Sequence, residues 1–402
     1  MATLRVAIPA MDEEETLPVT LDALSRQENH PPFEVYVCVN QPDSYWSNPE
    51  KIPICLRNQG TLEFLRNYDF LTVHVIDRSS RGFGWTEKKK GVGFARKVLF
   101  EQILEDSEAD DIIVSLDADT YVKSDYLRSI ADNFAHNPGL NAIAVPYYHP
   151  LNSVDEVQGR AMLRYELYMR NYAINLLKIN SPYGFTALGS AIAMRARALR
   201  KIGNITPLQS GEDFYLVQKF CKMGGLSLFN TECVYPAGRY SDRVPFGTGP
   251  AMRRGAEGIW DSYPIYPHHC FEPIQEVYNS LPGLYENCIS VMDNEFLSFL
   301  QKDNEMDIWA DIRRNVADYD HFVKAFHQKA DGLRILQFVR AKYRQQPVKE
   351  TTALYENMKC WLPDSCPSWL SPTQSLADYP IGKVNEIRQL LFELEHDMRK
   401  QY

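Results

Sequence analysis

Two aspartates, Asp117 and Asp119, directly follow a short apolar run at residues 112–116. If that run is a strand, both carboxylates stand at its end, where they can bind a divalent cation or a ribose. Carboxylate oxygens suit Mg²⁺ or Mn²⁺, which keep several water ligands and bind substrate phosphates. A pair of solvated turn carboxylates has the same spacing, so the motif alone leaves both interpretations open.

A basic segment with two glycines precedes these aspartates. Residues 88–97 are Lys-Lys-Lys-Gly-Val-Gly-Phe-Ala-Arg-Lys, and the apolar spacing after them predicts a helix over 94–104. A helix N-terminus with free N–H groups attracts phosphate, and the flanking cations add to that attraction. The pattern is neither a dinucleotide fingerprint nor a P-loop, and a basic, solvated helix start remains the alternative.

A second acidic pair, Glu212 and Asp213, follows Ser210-Gly211 and begins a helix predicted over 213–223. The helix macrodipole favours acidic residues at this end, so capping alone could account for them. The functional interpretation makes Asp213 a general base that takes a proton from an acceptor hydroxyl.

Cationic and imidazole side chains are concentrated further along the chain. Arg239, Arg243, Arg253 and Arg254 are candidates to bind a diphosphate or an anionic acceptor, with surface salt bridges as the alternative. The pair at residues 268–269, His-His, is expected to be packed or at the surface rather than to bind a metal.

A frame of alternating strands and helices must position these residues. Strands are predicted at 4–9, 33–39, 71–76, 111–116 and 190–194, and helices at 14–27, 94–104, 154–179 and 213–223. This alternation predicts an α/β fold with a mainly parallel, doubly wound sheet, in which ligands bind at the carboxyl ends of the strands. Residues 41–62 and 236–273 are predicted to be loops, and from about residue 275 the pattern is helical.

Composition and charge narrow the function classes. The 402 residues are 45% hydrophobic and 24% charged, as in an ordinary globular protein. A net charge of −9 disfavours nucleic-acid binding, and the eight cysteines show no zinc-binding spacing. Without an apolar run of about 18 residues or a signal-peptide pattern, we expect a cytoplasmic protein without a transmembrane span, although peripheral membrane contact stays open.

The order of these segments resembles family 2 glycosyltransferases of the GT-A fold. Those enzymes combine Pro-x-x-Asn-Glu-Glu after the first strand, Gly-x-Gly-x-Ala-Arg, Asp-x-Asp, a Gly-Ser-containing strand and Glu-Asp at a helix start. The matching segments here are residues 8–14, 91–96, 117–119, 188–195 and 212–213. The resemblance covers residues 4–235 and implies a GT-A domain at 1–245, followed by a loop and helical extension at 246–402.

What the resemblance implies is a nucleotide-diphospho-sugar donor, a UDP- or GDP-sugar, with Mg²⁺ or Mn²⁺ and an unidentified acceptor. Asp117 and Asp119 would bind the metal, Asp213 would be the base of an inverting displacement, and Arg239 and Arg243 remain candidates for phosphate or acceptor contacts. The donor-binding residues would be Pro9, Ala10, Met11, Asp12, Glu13, Asn40, Lys90, Gly91, Arg96, Asp117, Ala118, Gly189, Ser190 and Glu212.

Departures from the family pattern refine the expected reaction. The Gln-x-x-Arg-Trp signature of processive synthases is absent, which implies transfer of a single sugar. The opening segment is also similar to retaining glucosyl-3-phosphoglycerate synthases, but no histidine occurs between residues 213 and 267 to match their metal ligand. A nucleotidyltransferase would want a Gly-rich loop after the first strand, and a non-catalytic sugar-nucleotide binder would not need Asp213.

Overall fold

The structure is a computed structural model that describes residues 2–152, 154–239, 248–288, 293–301 and 307–402. Two compact units make up the chain. The first comprises Met1–Met162, Thr186–Ile259 and Arg399–Tyr402, and the second comprises Leu163–Phe185 and Trp260–Met398.

The first unit is built on a seven-stranded sheet in its described residues, in the order β3-β2-β1-β4-β7-β6-β8, with a separate β5-β9 ribbon. The strands are β1 (Leu4–Ala10), β2 (Phe33–Asn40), β3 (Val73–Arg78), β4 (Ile112–Ser115), β5 (Thr120–Tyr121), β6 (Ala142–Ala144), β7 (Ile192–Arg195), β8 (Leu226–Ser227) and β9 (Tyr235–Pro236). Only β7 runs antiparallel to its neighbours within the seven-stranded sheet. The predicted α/β fold with a mainly parallel sheet is confirmed.

Helices follow most of these strands and form much of the second unit. They are α1 (Leu17–Ser25), α2 (Ile52–Arg66), α3 (Val92–Asp106), α4 (Tyr126–His136), α5 (Glu156–Lys178), α6 (Ala196–Lys201), α7 (Glu212–Met223), α8 (Thr248–Ala256), α9 (Glu272–Asn279), α10 (Leu281–Tyr285), α11 (Glu295–Gln301), α12 (Ile308–Asn315), α13 (Tyr319–Lys329), α14 (Gly332–Gln345), α15 (Glu350–Trp361) and α16 (Ile381–Arg399). Among the described residues, none of these helices has the length and apolar character needed to span a membrane.

The central strands β1 and β4 lie in the core of the first unit. Every residue of β1 and β4 is buried, as expected for parallel strands covered on both faces. β1 pairs in parallel with both β2 and β4, so the carboxyl ends of these three strands meet at one edge of the sheet. The polar residues that follow the strands are therefore brought together there.

The loop predicted over residues 41–62 is wrong, because the structure forms a short 3-10 helix, Asp43–Ser47, and then α2. Pro53 stands in the first turn of α2, where the missing N–H costs little. The buried face of α2 includes Asn58 and Thr61, so its polar residues concealed the helical pattern.

Other segment boundaries also differ from the prediction. The third strand, predicted at 71–76, is β3 and extends to Arg78. The loop predicted over 236–273 contains the end of β9, all of α8, a 3-10 helix (His268–Cys270) and the start of α9, so the prediction is wrong for those residues. Its segment 240–247 lies outside the described part of the chain. Residues 237–239 and 257–267 lie outside helices and strands, as predicted.

Candidate active site

One buried arginine, Arg96 on α3, joins three of the segments identified in the sequence. Its guanidinium donates hydrogen bonds to Asp117 Oδ1 at 2.5 Å and to Glu212 Oε1 at 3.1 Å. It also donates to Ser115 Oγ at 2.9 Å and to the carbonyl oxygen of Gly189 at 3.2 Å. Arg96 therefore links the end of β4, the segment before β7 and the start of α7.

The environment of Arg96 keeps its guanidinium charged. Burial lowers the pKa of Arg96, but the charges of Asp117 and Glu212 raise it by more, so the pKa lies above its ordinary value. A Cβ atom on Gly189 would lie 1.9 Å from Arg96 Nη2, so this close contact requires glycine. With protein partners at Nε, Nη1 and Nη2, Arg96 orients the two carboxylates around it.

Asp119, the other aspartate of the pair, forms an ion pair with a different arginine, Arg239. Arg239 Nε donates to Asp119 Oδ2 at 2.7 Å, and Arg239 Nη2 donates to Glu13 Oε1. The β5-β9 ribbon explains this contact, because β9 ends three residues before Arg239 and the N–H of Ala237 donates to the carbonyl oxygen of Asp119 at 3.1 Å. Glu13, which follows β1, is thereby joined to Asp119, which follows β4.

Asp213 stands at the start of α7, directly after Glu212. Gly211, which precedes them, has φ +78°, a conformation that favours glycine. The N–H of Phe214 donates to Asp213 Oδ1 at 2.8 Å. Burial, together with the charge of Glu212, raises the pKa of Asp213 to about 7, although Arg96 opposes the shift. A half-buried carboxyl with this pKa can accept a proton near neutral pH.

The segment after β1 is held by α2, the helix that the sequence did not indicate. Asp12 has φ +64°, and its N–H donates to Asn58 Oδ1 at 2.8 Å. Arg57 Nε donates to Asp12 Oδ1. The contacts of Arg57 and Asn58 were missed by sequence reasoning, and the polar composition of residues 41–62 carried no signal for them.

Asn40, at the end of β2, is buried and connects two neighbouring segments. Its Nδ2 donates to the carbonyl oxygen of Ala10 at 2.9 Å, and its Oδ1 accepts from Trp85 Nε1 at 3.1 Å. The guanidinium of Arg78 lies over the Trp85 ring, 5.4 Å from the ring centre. Trp85 and Arg78 are thus additional residues at this edge that the sequence did not single out.

The glycine-containing segment before α3 makes close backbone contacts. Gly91 has φ +105°, and a Cβ atom on Gly93 would lie 2.2 Å from the carbonyl oxygen of Leu208. Lys90 Nζ forms an ion pair with Glu87 at 2.5 Å. The two glycines are therefore required by the approach of the segment that leads to α7.

Most of the predicted donor-binding residues come together at this edge of the sheet. Hydrogen bonds join Ala10 to Asn40, Glu13 to Asp119 through Arg239, and Asp117 to Glu212 and Gly189 through Arg96. Pro9, Ala118 and Ser190 are buried, and Met11 is half-buried. Lys90 and Gly91 make the separate contacts given above, and Arg243 lies outside the described residues.

Two carboxylates here have the chemistry of a divalent cation site. Among the described residues, no group of three or more His, Cys, Asp and Glu side chains is arranged to hold a metal. Mg²⁺ is usually held by one or two carboxylates with substrate phosphates and water, and Asp117 and Asp119 fit that requirement. The side chain of Asp117 is 36% exposed, and Arg239 already places a positive charge against Asp119.

The remaining candidates lie elsewhere. Arg253 and Arg254 are exposed residues of α8. In the second unit, His268 Nδ1 lies 2.8 Å from Asn175 Oδ1, and the backbone N–H of His268 donates to Asn357 Oδ1 at 2.9 Å. Burial lowers the pKa of His268, and these contacts fit the packed histidine expected from the sequence.

Comparisons with known proteins add a family. The family model described as "Glycosyltransferase like family 2" matches residues 2–229, more than half of the chain. A search of curated proteins finds no match to this chain.

The solved structures that match the chain are distant from it in sequence. TarS 1-349 of S. aureus, in complex with UDP-GlcNAc, is 13% identical with a TM-score of 0.44, covering 100% of this chain and 91% of that one. Mannosyltransferase PcManGT from Pyrobaculum calidifontis, in complex with GDP-Man and Mn²⁺, is 13% identical with a TM-score of 0.38, covering 98% and 85%. Glucosyl-3-phosphoglycerate synthase from Mycobacterium tuberculosis is 17% identical with a TM-score of 0.37, covering 64% and 81%.

Proposed function

The chain belongs to the glycosyltransferase-like family 2, and we propose from that membership that it transfers a single sugar from a nucleotide-diphospho-sugar to an acceptor hydroxyl. The donor is a UDP- or GDP-sugar, the cofactor is Mg²⁺ or Mn²⁺, and the anomeric configuration is inverted. The predictions of a glycosyltransferase and of a GT-A type α/β fold are confirmed.

Arg96 provides the main structural support for this reaction. Its hydrogen bonds to Asp117 and Glu212 connect the Asp-x-Asp segment to the helix start that carries Asp213. A donor whose diphosphate lies at Asp117 and Asp119 then has a carboxyl base at the neighbouring helix start. Neither segment alone has this combination of groups.

Asp213 acts as the base in the proposed displacement. The acceptor hydroxyl gives its proton to the Asp213 carboxylate while its oxygen bonds to the anomeric carbon of the sugar. The bond from that carbon to the β-phosphate oxygen breaks, and its electron pair leaves with the nucleoside diphosphate. A pKa raised to about 7 suits this role, because a base works best when its pKa lies near the working pH.

In the proposed site, Asp117 and Asp119 would hold the cation, and Arg96 fixes the orientation of Asp117. When bound, the divalent cation offsets the negative charge that develops on the leaving diphosphate. Asp12, Glu13 and Asn40 border the place proposed for the base and ribose. Arg239 is proposed to contact phosphate.

Two measurements test this function. The first is a thermal-shift assay with UDP or GDP, each with and without Mn²⁺. We expect one of the two nucleotides to raise the melting temperature, and to do so only when Mn²⁺ is present, since ligands stabilise the folded state by mass action. No rise with any nucleoside diphosphate would contradict the donor site.

The role of Asp213 is tested by Asp213→Asn. We expect transfer to fall by about 10²- to 10⁴-fold, the usual contribution of a general base, while the metal-dependent thermal shift is kept. Asp22→Asn, at an exposed position of α1, is the matched control and should retain activity. Full activity of Asp213→Asn would remove Asp213 as the base.

A further inference from the structure

Arg239 is a positive charge held between two carboxylates. Its Nε donates to Asp119 Oδ2 at 2.7 Å, and its Nη2 donates to Glu13 Oε1. The side chains of Glu13 and Asp119 are only 5% and 15% exposed. Carboxylates with so little access to water need positive charge nearby, and the guanidinium of Arg239 supplies such a charge to both.

A divalent cation on Asp119 would change this balance. It would stand close to the guanidinium, and like charges at such short distances repel strongly where water is scarce. A divalent cation therefore binds Asp119 more strongly once Arg239 has released it. A donor diphosphate offers the guanidinium a new anionic partner, and arginine suits phosphate because of its planar fork of donors.

We infer that Arg239 is a built-in counter-ion of Asp119 and Glu13, which competes with the divalent cation and moves to the donor diphosphate when donor and metal bind together. This inference rests on the proposed function, since the metal and the diphosphate belong to that reaction. It makes metal binding weak without nucleotide and stronger with it, because each ligand relieves the cost of the other.

The surroundings of Arg239 permit this exchange. Its side chain is 30% exposed, so the guanidinium can turn towards solvent or phosphate. The pairing of Thr120 with Pro236 and the hydrogen bond from Ala237 to Asp119 keep the backbone of this segment beside the site. The guanidinium therefore stays within reach of the site after it leaves Asp119.

Arg96 shows the contrast between a fixed and an exchangeable arginine. Its side chain is 4% exposed and has four protein partners, Asp117, Glu212, Ser115 and Gly189. If the guanidinium of Arg96 moved away from Asp117, its hydrogen bonds to the other three partners would be disturbed as well. Of the two aspartates, Asp117 is thus held in one orientation and Asp119 is the one whose partner changes.

Binding of Mn²⁺, followed by electron paramagnetic resonance of the free ion, tests this competition without an activity assay. The unaltered protein, Arg239→Gln, Arg239→Lys and Arg26→Gln are titrated with Mn²⁺ alone and with UDP or GDP present. Arg26 pairs with Asp22 on the exposed surface of α1, so Arg26→Gln controls for the loss of one positive charge.

Without nucleotide, we expect Arg239→Gln to bind Mn²⁺ about tenfold more tightly than the unaltered protein, within the usual range of coupling between sites. At saturating Mn²⁺, the same variant should bind the nucleoside diphosphate about tenfold more weakly, since a phosphate partner is lost. Arg239→Lys keeps the positive charge but loses the planar fork of donors. Its affinities for Mn²⁺ and for nucleotide should therefore lie between those of the unaltered protein and those of Arg239→Gln.

Several outcomes would overturn the inference. Unchanged Mn²⁺ affinity in a folded Arg239→Gln, or an equal gain in Arg26→Gln, would show that Arg239 does not compete with the metal. Weaker nucleotide binding without tighter Mn²⁺ binding would leave Arg239 as a phosphate contact only, and the competition would be wrong. If neither UDP nor GDP bound the unaltered protein with Mn²⁺, the proposed function would fail, whereas the Mn²⁺ comparison would still test the competition.

Discussion

In the proposed reaction, the raised pKa of Asp213 favours proton transfer, but it also lowers the stability of the folded protein at high pH. Burial and the charge of Glu212 raise its pKa to about 7, so the folded protein holds the proton more tightly than the unfolded chain does. The stabilisation from this proton is complete below the ordinary pKa of an aspartate and is lost as the pH rises through about 7. Strained or charged groups of this kind are common at active sites.

This imbalance predicts how Asp213→Asn changes thermal stability. An amide has no charge to bury, so the variant should gain a few degrees in melting temperature over the unaltered protein at about pH 8 and much less at about pH 5. Calorimetric melting at the two pH values measures the difference. Asp22→Asn removes an exposed carboxylate as the control, and a gain for Asp213→Asn that is equal at both pH values would contradict the raised pKa.

At the scale of single residues, the sequence indicated several of the charged groups that lie together at this edge of the sheet, but not which partners they have. Asp117, Asp119 and Asp213 were recognisable because each follows an apolar strand or begins a helix. The resemblance placed Arg96 among the donor-binding residues, and the structure shows it bound to Asp117 and Glu212, the latter 116 positions away in the chain. Such long-range pairing depends on packing, which local patterns do not encode.

Elements were predictable where apolar residues dominate them. β1, β2 and β4 lie within a residue or two of their predicted bounds, since each is an almost continuous apolar run covered on both faces. α2 was missed because Asn58 is buried to bind Asp12 and Gln41 rather than to fill the core. Polar residues that serve a site in this way break the apolar periodicity from which helices are predicted.

The start of α3 gives a test at the level of elements. Helix propensity alone predicts that Gly93→Ala stabilises the protein by about 1 kcal/mol. The added Cβ would lie 2.2 Å from the carbonyl oxygen of Leu208 and 2.7 Å from its nitrogen, and backbone atoms do not yield cheaply. We therefore expect a loss of about 1–3 kcal/mol, as in overpacked cores, measured by urea unfolding.

A displaced segment at residues 208–209 should also shift the start of α7, so the initial rate of transfer should fall together with stability. Gly139→Ala is the matched control, because its Cβ would meet only Asn137 Oδ1, at an ordinary 3.6 Å. It should change the free energy of unfolding by less than about 0.5 kcal/mol. Stabilisation by Gly93→Ala would mean that the 208–209 segment moves away without cost.

At the scale of the whole molecule, each of the two units has its own means of stabilisation. The contacts described for the candidate site all lie in the first unit. The second unit buries an ionic cluster, in which Arg170 donates to Glu166 Oε1 at 3.0 Å and to Glu395 Oε2 at 2.6 Å. Arg388 donates to the second oxygen of Glu166 at 3.3 Å. These four side chains join α5 to α16 with balanced charge.

The variant Arg170→Met tests whether the stability of the second unit and ligand binding at the candidate site are independent. It keeps much of the side-chain volume but leaves the buried Glu395 without this partner, and breaking a buried ion pair in this way costs about 3–5 kcal/mol. Urea unfolding should show that loss, while Lys383→Met, at an exposed pair on α16, should cost less than about 1 kcal/mol. The affinity of the folded Arg170→Met variant for nucleoside diphosphate and Mn²⁺ should stay within about twofold, since sites without shared partners act nearly independently. A large loss of nucleotide affinity in the fully folded variant would contradict this independence.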